Sequence, residues 1–143
     1  MDGQTNFIRM AVILLSAGVI TSSCAKREAI TANVKKGREH YKMAVSLVRQ
    51  KRGVGKAIQH IHAAIRYGYD EGKVFGTLGG LYYILGKKKE ARKFLRIALE
   101  KLTEERTVYA RKDEYMKTRV INKLIVDIKK KLAKLDEPEQ IEG

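Results

Sequence analysis

Six apolar positions recur at a single interval in this 143-residue chain, and that recurrence constrains the fold more than any other feature. Tyr41, Ala44, Val48, Ala57, Ile61 and Ala64 are each matched 34 residues later, by Phe75, Leu78, Tyr82, Ala91, Leu95 and Ala98. Within each unit the spacings of 3 and 4, then 4 and 3, align the residues along one face of two successive helices. A unit of this kind cannot bury its apolar face alone, so the units are expected to stack. Alanine at 57, 64, 91 and 98 suits such stacking, because a small side chain lets one helix approach the next closely.

Residues 72–105 resemble the tetratricopeptide repeat (TPR), through Phe75, Leu78, Gly79, Tyr82, Gly86, Ala91 and Ala98, with Leu95 and Thr103 where the family usually has an aromatic residue and a proline. Residues 38–71 resemble it through Tyr41, Ala57 and Ala64, with Ala44 and Val45 in place of the usual Leu-Gly pair. The resemblance implies a right-handed superhelix whose concave face holds a peptide or partner segment. In its register that face is lined by Glu39, Lys42, Ser46 and Arg49, then by Lys73, Gly76, Gly80 and Tyr83. Gly76 and Gly80 are one turn apart and are expected to open a shallow floor, with Tyr83 as an amphipathic contact beside it. Close helix packing is the alternative use of these two glycines. Lys42 and Arg111 match two positions of a basic clamp found in some members, whereas Ser46, Thr77 and Thr107 do not, so an extended or helical partner segment with acidic character is expected instead.

Two stacked units leave an apolar face exposed unless a cap or third unit follows. From Arg106 to Leu135 there is neither Gly nor Pro, and Ile121, Leu124, Ile125, Ile128, Leu132 and Leu135 form an apolar stripe. The 34-residue register calls for Ala at 125 and 132, where Ile125 and Leu132 stand, which favours a long capping helix over a complete third repeat. The expected fold is all-α: a short α-solenoid of two TPR-like helix pairs (38–71 and 72–105), then a C-terminal capping helix or partial third repeat over 106–135, as one helix or two. Residues 136–143 read as an acidic tail.

The other end of the chain reads as an address. Met10 to Ile20 is apolar or small and uncharged, with Arg9 before it and Thr21-Ser22-Ser23 after it. A membrane-crossing helix needs about 20 apolar residues, and this run reaches Lys26 and Arg27 too soon. The only cysteine, Cys24, follows directly, and the arrangement resembles a bacterial lipoprotein signal. That resemblance implies removal of residues 1–23, lipidation of Cys24 and a protein anchored in the cell envelope, facing the periplasm. Ala25 and Lys26 lack the acidic residue that holds some lipoproteins at the inner membrane, so the outer membrane is favoured. An ordinary signal and an incidental thiol are the alternative readings. Residues 24–37 are then the tether and the start of the first helix.

Thirty Lys plus Arg against 16 Asp plus Glu set the net charge at +14, which favours anionic partners. Nucleic acid is the usual partner of such a charge, but an export signal argues against it. Lys87-Lys88-Lys89 and Lys129-Lys130-Lys131 read as solvated faces. Catalytic chemistry finds little support. His60 and His62 are two apart on an expected helix, roughly 200° around it, so they cannot share a metal, and His40 has no partner visible in the sequence. Gly53-Val54-Gly55-Lys56 lacks the first glycine and the hydroxyl residue of a phosphate loop and reads as a turn. No enzyme, cofactor or metal is expected. The expected function is a membrane-anchored protein–protein adaptor or scaffold in cell-envelope assembly. The alternative is a basic exported protein that binds an anionic polymer or membrane surface without a specific groove partner.

Overall fold

A computed structural model describes residues 3–51 and 53–137, with side chains from Ala25 onward. Cys24 and the apolar run before it, on which the anchor reading rests, have side chains outside the described residues, as does the tail from Pro138. The described residues form five helices and no strand: α1 (Gly3–Arg49), α2 (Val54–Arg66), α3 (Gly72–Ile84), α4 (Lys88–Arg111) and α5 (Tyr115–Asp136). The all-α expectation is met. Among the described residues, no helix is long and apolar enough to cross a membrane.

Helix ends follow from local backbone chemistry. After α2, the Gly68 N–H bonds to the Ile65 carbonyl and the Tyr69 N–H to that of Ala64, with Gly68 left-handed at φ 77°. After α3, Gly86 and Lys87 repeat the pattern on Tyr83 and Tyr82, with Gly86 at φ 70°. These paired bonds satisfy carbonyls that the helix itself leaves open, and glycine adopts the required angle without steric cost. α4 ends the same way, through Asp113 on Ala110 and Glu114 on Tyr109, but the left-handed residue is Asp113, at φ 55°. The stretch 106–135 is therefore divided: its first turns continue α4 to Arg111, and the covering helix begins at Tyr115. A stop made without Gly or Pro leaves little trace in the sequence; aspartate tolerates this backbone angle better than most residues.

Consecutive helices pack on one another, most extensively α3 with α4, α1 with α2 and α4 with α5. The first core joins α1, α2 and α3 through Ala44, Ala57, Ile61, Ala64, Val74 and Leu78, and the second joins α3, α4 and α5 through Phe75, Leu95, Leu102, Ile121, Ile125 and Leu132. Ile65, Tyr82 and Phe94 touch both. α3 lies between the two cores, which is why its sequence is apolar on nearly every side. Glycines make the α3–α4 approach possible: a Cβ at Gly72 would stand 2.6 Å from Leu102 Cγ, and one at Gly79 would stand 2.7 Å from Leu95 Cγ. Where α1 meets the rest, Val34 packs against the first core, and a Cβ at Gly37 would stand 2.7 Å from Tyr69 Cβ and 2.8 Å from the Ala64 carbonyl oxygen.

Two polar ties hold helix ends in place. Glu105 on α4 accepts a 2.7 Å hydrogen bond from the Gly72 N–H, supplying an anion to the N-terminus of α3. Arg92 on α4 donates to the Leu135 carbonyl at 2.5 Å and to Asp136 Oδ1 at 2.7 Å, closing the C-terminus of α5. Arg92→Ala is expected to lower stability by about 1 kcal/mol, a drop of roughly 4 °C in melting temperature measurable by circular dichroism.

Candidate functional site

One face of the protein is lined by alternate helices, α1, α3 and α5, with the inner side of α4 as part of its wall. One part of it is a cleft of about 430 Å³ where α3, α4 and α5 meet. Leu102, Tyr109, Met116, Val120, Ile121 and Leu124 form its apolar wall, and Glu71, Lys73, Glu105 and Lys117 its charged rim. Through Lys73, Leu102 and Leu124 it continues into a recess of about 180 Å³ floored by Gly76 and Thr77 and bounded by Tyr41, Asp127, Ile128 and Lys131. From the recess the surface branches. Tyr41 leads to a shallow cleft along α1 with Lys42, Val45, Ser46 and Arg49, whereas Asp127 and Lys131 lead to one bounded by Tyr83, Lys130 and Lys134.

Lys73 sits at the junction. Its ammonium is 2.6 Å from Glu71 Oε2 and lies over the rings of Tyr69 and Tyr41, at 5.5 and 5.9 Å from their centroids. Partial burial works against its charge, yet hydrogen bonding to Glu71 and Tyr69 outweighs this and holds Lys73 above the ordinary lysine range. Lys73 is therefore charged at neutral pH. The Tyr41 hydroxyl lies 3.2 Å from that of Thr77, which itself donates to the Lys73 carbonyl at 2.9 Å; Tyr41 is therefore the donor in this pair, and the bond links α1 to α3. Along α1, Glu39 pairs with Lys42 at 2.9 Å, and that hydrogen bond lowers the Glu39 pKa. At the other end of the face Lys117 pairs with Glu114, which raises the Lys117 pKa.

The residues expected to line a groove are partly gathered. Lys42, Ser46 and Arg49 share the α1 cleft, Lys73 and Gly76 share the recess, and Tyr83 borders the cleft beside α5. Arg111 is exposed in the last turn of α4 and lines none of these clefts. The open glycine floor needs correction at one of its two positions. A Cβ on Gly80 would meet nothing within 4 Å, but one on Gly76 would lie 3.3 Å from Ile128 Cδ1, because α5 packs over it. Of the lysine run on α5, Lys129 and Lys130 are exposed, while Lys131 is half-buried and borders the recess.

Sequence reasoning found Leu124 but missed Met116 and Val120, which α5 adds to the cleft. Met116, Val120 and Leu124 stand at steps of four, a second apolar stripe beside the buried one, and Met116 and Val120 remain 67% and 58% exposed. It also missed the partner of His40, whose Nδ1 lies 3.0 Å from that of His60 across the α1–α2 contact. Compared with models of known families, with curated proteins and with solved structures, the chain matches none.

Proposed function

We propose that this chain is an exported adaptor, anchored to a bacterial envelope membrane through a lipid on Cys24, that holds a partner segment on the face lined by α1, α3 and α5. The outer membrane is the favoured site of the anchor. In this reading the helix pairs α1–α2 and α3–α4 are TPR-like units of a short solenoid, α5 occupies the place of the next first helix, and the face is the concave one. The match between repeat and burial supports it: Ala44 and Leu78, Ala57 and Ala91, Ile61 and Leu95, and Ala64 and Ala98 are all fully buried, pair by pair at the 34-residue offset. The observation that carries the binding role is the apolar cleft in which Met116 and Val120 are left uncovered, inside a rim of two lysines and two glutamates. An apolar wall suits a segment that presents apolar residues, and the net charge of +14 favours one that also carries acidic residues.

Met116→Asp with Val120→Asp is expected to abolish partner capture in the cell while changing stability by no more than about 0.5 kcal/mol, since both residues are exposed. Photo-crosslinkers at Val120 and Ser46 should trap one protein that a crosslinker at Gln59, on α2, does not. Equal labelling from all three positions rules out a specific face. Cys24→Ala should release the protein from the membrane fraction.

A second reading has its own observation. Residues 25–33 of α1 are all exposed, and the stretch up to Gly37 carries Lys26, Arg27, Lys35 and Lys36 against Glu28. Basic residues on a helix next to an anchor suit an anionic lipid or polymer surface. Binding of that kind fades steeply with salt, whereas binding built on the α4–α5 cleft persists.

A further inference from the structure

We infer that His40 and His60 form a proton-sensitive clasp that weakens the α1–α2 contact as the pH falls from 7 to 5. The inference concerns that contact alone and holds whatever the α1, α3 and α5 face binds. Their Nδ1 atoms are 3.0 Å apart and their ring centroids 5.3 Å, so the two nitrogens face each other nearly in line. That is the geometry of an N–H···N hydrogen bond, in which one ring donates and the other accepts. Two nitrogens meeting head-on do not converge on a third point, and the arrangement is not a chelate. Tyr67 stacks on His40 at 5.5 Å with its ring 5° from parallel, fixing the orientation from the end of α2.

The clasp accommodates one proton beyond the neutral pair at most, because a second would turn the accepting nitrogen into a donor facing another donor. Among the described residues, the carboxylates nearest in the chain to this pair are each already paired with a lysine. α2 contains no carboxylate, and Lys56 stands one turn before His60. On α1, Lys36 lies 4.9 Å from the Tyr67 centroid, and Glu39 is held by Lys42. At the start of α3, Asp70 and Glu71 are held by Lys101 and Lys73.

In the unfolded chain both imidazoles titrate near pH 6.5 and are charged by pH 5. The unfolded state then binds more protons than the folded one, so stability falls as the pH is lowered. The unfolding constant is expected to rise roughly 25-fold between pH 7 and pH 5. His40, His60 and His62 are the only histidines, and no other side-chain type titrates in this window at its ordinary pKa. The test is urea denaturation of the full chain in mild detergent across that range. His62→Gln should keep the rise, and His60→Gln should reduce it to a few-fold, because Gln can accept from a protonated His40. A flat wild-type profile, or loss of the rise in His62→Gln alone, would overturn the inference. Imidazole nitrogen NMR on the wild-type chain decides the matter independently of any variant. One Nδ1 of the pair should remain an acceptor in the folded protein at pH 5.5, and two imidazolium rings there would sink the clasp.

Discussion

A chain ending at Arg111 is expected to lose cooperative folding at 25 °C, or to aggregate. The missing α5 supplies Ile121, Ile125, Ile128, Leu132 and Leu135, each more than nine-tenths buried. Burial of such side chains contributes about 1.5–3 kcal/mol each, so their loss removes on the order of 10 kcal/mol, comparable to the whole stability of a domain this size. The loss is compounded on the other side, because Phe75, Leu95 and Leu102 belong to the same core and would be left without part of their cover. Circular dichroism melting and size-exclusion chromatography of the two forms provide the check. A truncated chain that melts as sharply and as high as the full one would show that α5 is an appendage.

Gly79→Leu is expected to lower stability by about 3 kcal/mol or more, whereas Gly80→Leu, one residue along, should leave it within about 1 kcal/mol. The difference lies in what each helix face meets. A Cβ at 79 would stand 2.7 Å from Leu95 Cγ and 2.9 Å from the Leu95 backbone nitrogen, so α3 and α4 would have to separate. At 80 there is nothing within 4 Å, and Gly80→Ala should stabilise by up to about 1 kcal/mol through helix propensity alone. Urea midpoints of the three variants measure the effect. Equal losses at 79 and 80 would mean that the α3–α4 approach is not held by this glycine.

Much of the core was legible before any coordinates, because helical periodicity acts locally. The alanines at 57, 64, 91 and 98 are fully buried at the positions where the repeat placed them. Gly86, one of the positions that carry the family resemblance, ends α3 at a left-handed angle that glycine adopts without steric cost. The anchor proposed on Cys24 rests on the sequence, since the described side chains begin at Ala25.

What the sequence by itself determined, then, was the helical class, the faces of the repeat helices that point inward and the apolar stripe with which α5 covers them. Each of these depends on residues within a few turns of one another. Tertiary structure decided the rest. Only the docking of α4 separates Gly79 from Gly80, two identical residues side by side in the chain. Only the return of α2 along α1 brings His60 to His40, 20 residues away. And only the placement of α5 against α3 both covers Gly76 with Ile128 and leaves Met116 and Val120 open beside Tyr109, since a site built from several helices has no spacing of its own along the chain.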